Sequence, residues 1–235
     1  MRMNILVTGA TKGIGKTLCG ILGNDHNIFA AARSEDLLKN YDNYCVCDLT
    51  TTEGMQKLGR YIEDHDIDVL INNAGEYIYG PIEKITFEQL DHITKLNFEA
   101  PLYLISKAIP HMKTKFFGRI INIGSISGIM GEANASLYSA TKSGFIGGTK
   151  ALALELAEYG ITVNTINPGW VNTEMGNSSA NNGEFSKEEI IECIPQKRFV
   201  EPAEIANLVK YLISEEAKGV TGQSINICAG LTCGC

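Results

Sequence analysis

No stretch of this sequence approaches the roughly 20 consecutive apolar residues that a bilayer-spanning helix needs. Residues 1–9 are not expected to be a secretory leader either, because Thr8-Gly9 arrives before an apolar core of leader length has formed. Residues 1–9 are therefore expected to open the fold itself, and the cytoplasm is the expected location. Positive charge is in deficit: 20 Lys and Arg stand against 27 Asp and Glu, a formal net charge of −7. Phosphate backbones and anionic lipid surfaces need clustered cations, so neither nucleic acid nor membrane is an expected partner. Seven cysteines are present, but none has C-x-x-C spacing and no histidine cluster accompanies them. No metal site is expected, and the thiols read as reduced.

What is present is an ordinary globular composition, 44% hydrophobic and 20% charged. A chain of 235 residues suits one α/β domain. Short apolar runs at 4–7, 27–32, 44–47, 69–72, 119–123, 162–166 and 224–227 read as strands covered on both faces. Helical patterns at 14–22, 52–63, 87–97, 100–112, 138–158 and 203–213 lie between them, the third opened by a Thr86/Gln89 capping box. This alternation predicts a single Rossmann-like, doubly wound parallel sheet of about seven strands with helices on both faces. Ligands are then expected beyond the carboxyl ends of the strands. There is no internal repeat. The polar stretch 177–183 reads as a flexible loop, and the region near 173–198 as a lid over a substrate.

The turn Thr8-Gly9-Ala10-Thr11-Lys12-Gly13-Ile14-Gly15 leaves the first strand and opens the first helix. Its glycines allow a sharp reversal and let a pyrophosphate approach a helix N-terminus, where free N–H groups favour negative charge. An ordinary βα turn is the plainer alternative. A triphosphate-binding P-loop is disfavoured, because Ala10 stands where its first glycine is needed.

Further motifs extend along the chain: Asn72-Asn73-Ala74-Gly75 after the fourth strand, Lys95-Leu96-Asn97, Ser125 after the fifth strand, Tyr138-Ser139-Ala140-Thr141-Lys142, and Pro168-Gly169 after the sixth. Together with the glycine turn, they make the chain resemble the short-chain dehydrogenase/reductase family over essentially its whole length. Within that family the segments 195–205 and 220–223 are most similar to bacterial 3-oxoacyl-acyl-carrier-protein reductases. The resemblance implies an oxidoreductase acting on CH–OH groups, with Asn97, Ser125, Tyr138 and Lys142 as the catalytic set. It implies nicotinamide-cofactor contacts from Gly9, Thr11, Lys12, Gly13, Ile14 and Gly15 in the turn, and from Asp48 and Leu49 after the third strand. Asn73, Ala74 and Gly75 join them, as do Pro168, Gly169, Val171 and Thr173, with Tyr138 and Lys142 shared. Lys142 would also grip the nicotinamide ribose, and Asn97 would hold a water in a proton relay. Two departures stand out, Thr162 in place of a frequent arginine and Ala229-Gly230 in place of Gly-Gly.

The chemistry agrees. Hydride reduction of a ketone leaves an alkoxide that must be protonated, so an acid must touch the oxygen. Tyr138 and Lys142 lie four apart on a helix and share a face. The ammonium, with the positive nicotinamide of an oxidised cofactor, is expected to lower the phenol's pKa from its ordinary value near 10. Ser125 is placed to hydrogen-bond the substrate oxygen. The plainer alternative for Asn97 is a buried asparagine hydrogen-bonded to a neighbouring strand.

Cofactor choice is legible at the second strand. NAD users place an acid there, whereas this chain has Ala32 followed by Arg33, a guanidinium suited to a 2′-phosphate. Lys12 adds a second cation, so NADP(H) is expected, with solvated surface charge as the alternative. The expected substrate is a small carbonyl compound, either free or carried on acyl-carrier protein or coenzyme A. Ser125, Ser127, Tyr138 and Trp170 would contact it, in a pocket with Ile126, Ile129, Met130, Met175 and Phe185. Small residues along the Tyr138 helix suggest a homo-oligomer, dimer or tetramer. Rival readings are a non-enzymatic NADP-binding redox sensor, which would be expected to have lost the tyrosine or lysine, and a dehydrogenase of a sugar, steroid or simple alcohol.

Overall fold

Strands apolar on successive residues need cover on both faces, and these have it. The computed structural model describes residues 2–182 and 186–233. The first half runs β1 (Asn4–Thr8), α1 (Gly13–Leu22), β2 (Asn27–Ala32), α2 (Glu35–Leu38), β3 (Asn43–Val46), α3 (Thr52–Asp64), β4 (Val69–Asn72), α4 (Phe87–Thr94) and α5 (Ala100–Lys115). The second half runs β5 (Gly118–Ile123), α6 (Ser127–Met130), α7 (Ser136–Leu156), β6 (Ile161–Pro168), α8 (Glu174–Asn182), α9 (Lys187–Cys193), α10 (Pro202–Leu212) and β7 (Ser224–Ile227).

The strands form one seven-stranded sheet in the order β3-β2-β1-β4-β5-β6-β7, every pair parallel. The winding reverses between β1 and β4, whose register is fixed by Ile5↔Val69 and Leu6↔Leu70. A crevice therefore opens beyond the carboxyl ends of those two strands. The two-residue period sorts their side chains to opposite faces. Leu6 and Leu70 join the core under α3 and α5, with Leu58, Leu104 and Met112. Ile5, Val7 and Ile71 join the core under α1 and α10, with Leu18 and Val209.

Two local features differ from expectation, and a third gives the Ala229 departure a backbone consequence. The helices expected at 87–97 and 100–112 are one continuous rod, because α4 passes through a π turn at Lys95–Glu99 directly into α5. The Thr86/Gln89 capping box opens it as expected. The polar stretch taken for a loop is helical as far as Asn182. Thr173 Oγ1 accepts the Gly176 amide at 3.1 Å, and Glu174 puts an acid in the first turn. A good cap starts a helix whose exposed side chains are free to be polar. The expected lid region thus carries α8 and α9, while Phe185 lies outside the described residues. Finally, Ala229 adopts φ +54°, a left-handed conformation that costs an L-residue roughly 1–2 kcal/mol. Ala229→Gly is expected to raise unfolding free energy by roughly 0.5–1 kcal/mol after glycine's extra chain entropy is deducted. The midpoint of a urea titration at unchanged slope is the check.

Among the described residues no helix is long and apolar enough to cross a membrane, and no group of His, Cys, Asp and Glu is gathered to hold a metal.

Candidate active site

The crevice is a cleft of about 830 Å³ lined by the glycine turn, the ends of β2 to β6, and the start of α8. The turn is stitched to the end of β4. Thr8 Oγ1 accepts the Asn73 and Ala74 amides, each at 3.0 Å, and Asn73 Nδ2 donates to the Thr8 carbonyl at 2.9 Å. Gly9 and Gly13 sit at φ +66° and +47°, where side chains are strained. A Cβ on Gly15 would lie 2.1 Å from the Gly9 carbonyl oxygen, so α1 packs flush against the turn only because that side chain is missing. Gly15 lies behind the wall; Gly9, Thr11, Lys12, Gly13 and Ile14 face the cleft. No side chain caps α1 at Lys12, which leaves its first-turn amides available to an anion.

Along one flank lie Arg33, Asp48 and Leu49, with Asn73, Ala74 and Gly75 across from them. Neither expected phosphate-binding cation stands alone. Arg33 Nη2 is 3.1 Å from Glu76 Oε1, and His92 Nε2 is 2.8 Å from the other oxygen of Glu76. Lys12 Nζ meets Glu174 Oε2 at 3.1 Å, linking the turn to α8. These pairs are solvent-exposed and readily exchanged. Burial pushes the Asp48 carboxyl up, but hydrogen bonds from the Thr50 amide and hydroxyl outweigh it and hold the group below the usual carboxylate range. The opposite flank presents Pro168, Gly169, Trp170, Val171 and Thr173. Trp170 stacks on Phe199 at 5.6 Å, and Val171 bridges to Val200.

At the far end of the cleft α7 presents Tyr138 and Lys142 beside Ser125, which follows β5. The Lys142 ammonium donates to the Ile123 carbonyl at 2.9 Å and lies 5.6 Å from the centre of the Tyr138 ring. Burial lowers the Lys142 pKa to about 8. Without a cofactor the phenol lies above its ordinary value. Burial raises Tyr138 to about 12; a hydrogen bond with Ser125 partly opposes this, and the charge of Glu132 adds to it. Desolvation of a phenolate outweighs an ammonium whose proton is directed at a backbone carbonyl. Asn97 is buried behind the wall. Its Oδ1 accepts the Glu76 amide at 3.0 Å and its Nδ2 donates to the Glu76 carbonyl at 2.9 Å. It therefore holds the backbone just beyond Gly75. A Cβ on Gly75 would come within 3.1 Å of Asn97 Oδ1 and 3.4 Å of Lys142 Nζ, so both side chains converge there.

A family model described as enoyl-(acyl carrier protein) reductase matches residues 15–232. The chain belongs to the short-chain dehydrogenase/reductase family. It is 38% identical to a 3-oxoacyl-[acyl-carrier-protein] reductase of Rickettsia bellii, covering 96% of this chain and 95% of that one. A putative ketoacyl reductase of Streptomyces coelicolor is 36% identical, with 96% and 95% covered. Among solved structures, an actinorhodin polyketide ketoreductase with NADPH superposes with TM-score 0.91 at 34% identity, covering 98% and 97%. A putative NAD(P)-dependent gluconate 5-dehydrogenase from Beutenbergia cavernae, with bound NADP, gives 0.90 at 27% identity over 98% and 97%.

Other polar residues of this short-chain dehydrogenase/reductase were not singled out as site residues by sequence reasoning. Asn72 Nδ2 donates to Asn122 Oδ1 at 2.9 Å, Asn122 Nδ2 donates to Thr149 Oγ1 at 3.2 Å, and Thr149 meets Thr165 at 2.6 Å. This buried chain ties α7 to β4, β5 and β6, and so fixes the helix that carries Tyr138. Polar residues inside apolar strands were the available signal. Glu132 and Tyr77 also line the cleft, hydrogen-bonded to each other at 2.5 Å. No spacing marks that pair.

Proposed function

We propose that this oxidoreductase reduces a ketone with NADPH, its substrate a 3-oxoacyl thioester or a similar carbonyl compound, free or carried on acyl-carrier protein or coenzyme A. The observation that carries the reading is one cleft lined both by Tyr138, Ser125 and Lys142 and by Lys12 and Arg33. The cradle fits a dinucleotide: uncapped amides open α1, glycines occupy the left-handed positions, and cations flank the adenosine side. Lys12, Arg33, Asp48 and the amides of the turn would hold its adenosine half, with Asn73, Gly75, Thr173 and Lys142 along the rest. When bound, the nicotinamide supplies the hydride.

The chain's own residues supply the proton and the alignment. With its pKa near 12, Tyr138 stays protonated at neutral pH and is an acid waiting for an alkoxide. Ser125 orients the substrate oxygen beside it, and Trp170 and Ser127 border the acyl side. Lys142, charged below about pH 8, stabilises negative charge as it develops on that oxygen. Reduction needs both groups protonated, a state present below about pH 8 and lost above it as Lys142 gives up its proton. With saturating NADPH, kcat/KM for the carbonyl is expected to be flat at neutral pH. It should fall about tenfold per unit once Lys142 is neutral. A profile still flat at pH 10 would remove the lysine charge from the mechanism. NADPH oxidation against acetoacetyl thioesters, diketones, sugars and steroids tests the substrate class; a sugar or steroid as the best substrate would displace the thioester. Open space at Gly147 and Gly148 and an exposed Leu154 on α7 support pairing with a second copy.

A further inference from the structure

Glu132 follows α6 at the substrate end of the cleft, with Ser125, Ser127 and Tyr138. It is half-buried and both oxygens are held. Tyr77 Oη donates to Oε1 at 2.5 Å, and Ser127 Oγ donates to Oε2 at 2.7 Å. Tyr77 itself is fixed, its ring meeting the Tyr138 ring edge-on at 5.0 Å. A carboxylate accepts only, so the Ser127 proton is committed to it. The Ser127 oxygen then takes the proton of Ser125 at 3.1 Å, and the Ser127 amide donates back to Ser125 Oγ at 3.1 Å. The carboxylate is thus locked into the wall, one hydroxyl away from Ser125.

Its charge has little opposition on that side. Lys142 lies beyond Tyr138 with its ammonium bonded to Ile123. Lys12 and Arg33 flank the glycine turn and the end of β2, where each already faces a carboxylate. The hydrogen-bond partners of Glu132, Tyr77 and Ser127, and the lining residues that precede it, Met130 and Gly131, are neutral.

We propose that Glu132 is a specificity-determining residue that excludes anions from the substrate end of the cleft, admitting carbonyl compounds that are neutral beside the reacting carbon and rejecting free oxo-acids. A thioester or ester replaces the carboxylate of a 3-oxo acid by a neutral carbonyl, which removes the like-charge contact. The proposal rests on the ketone-reductase reading above and deepens it. The negative charge on Glu132 also strengthens Tyr138's hold on its proton, so the same residue favours the acid form that reduction uses.

The test compares kcat/KM for acetoacetate and for a neutral acetoacetyl ester and thioester, with NADPH, in the parent, Glu132→Gln and Glu132→Asp. The parent is expected to prefer the neutral substrates. Glu132→Gln keeps size and removes the charge, with one of the two accepted hydrogen bonds reversed because its amide nitrogen only donates. It should narrow the neutral-to-anion ratio about tenfold, the scale of one like-charge contact in a water-filled cleft. Glu132→Asp keeps the charge and should keep most of the ratio, whatever either variant does to absolute rate. An unchanged ratio in Glu132→Gln, with the ester still reduced, overturns the filter and leaves the reductase reading standing. Failure of the parent to oxidise NADPH with any carbonyl sinks both.

Discussion

Tyr138→Phe is expected to lower carbonyl reduction by about 10²–10⁴-fold, the usual contribution of a positioned general acid. NADPH affinity should stay within about twofold, since only one hydroxyl is lost from a large contact surface. The ring's edge-on contact with Tyr77 survives the substitution, so the wall keeps its shape. What disappears is a proton held at a pKa of about 12 and directed into the cleft beside Ser125. Steady-state rates combined with a fluorescence titration of NADPH separate the two effects. Parental turnover in the variant would assign the acid elsewhere, and loss of NADPH binding would make Tyr138 a cofactor anchor instead.

Arg33→Asp is expected to shift the preference for NADPH over NADH by about 10²–10³-fold toward NADH. A guanidinium–phosphate pair contributes about 1.5–3 kcal/mol, and an aspartate in its place adds repulsion. The neighbourhood amplifies the change. Glu76, now neutralised by Arg33 at 3.1 Å, would face the cleft with only His92 as partner. Two carboxylates would then oppose the 2′-phosphate. Arg33→Ala should lose NADPH preference without gaining on NADH. The ratio of kcat/KM for the two cofactors is the readout; an unmoved ratio would return Arg33 to ordinary surface charge.

The sheet, its seven strands and the cleft's position were legible because parallel strands buried on both faces announce themselves as apolar runs. The motif residues were legible because chemistry restricts them: a turn needs glycine, and a proton donor needs a phenol. What escaped depends on distance rather than type. The raised pKa of Tyr138 follows from how deeply α7 seats the phenol and where Lys142 sends its proton, and neither is set by four-residue spacing. Glu76 and Glu174, the partners of Arg33 and Lys12, lie 43 and 162 positions away from them, beyond any local pattern. The polar run that became α8 was misread because polarity reports exposure, whereas the cap at Thr173 decides the backbone.

The π turn at Lys95–Glu99 gives the α4–α5 rod one residue more than regular winding would use. Each α-helical residue advances the azimuth by about 100°, so an extra residue without the wider turn would swing everything downstream by that angle. Deleting one residue there would restore ideal coiling and leave α5 on its present face. Leu104, Ile105, Ala108 and Met112 would stay in the hydrophobic interior, but Asn97 lies within the turn and its hold on Glu76 would be lost. The irregularity thus lets Asn97 reach the backbone beside the cleft while the apolar stripe of α5 stays in phase with the sheet.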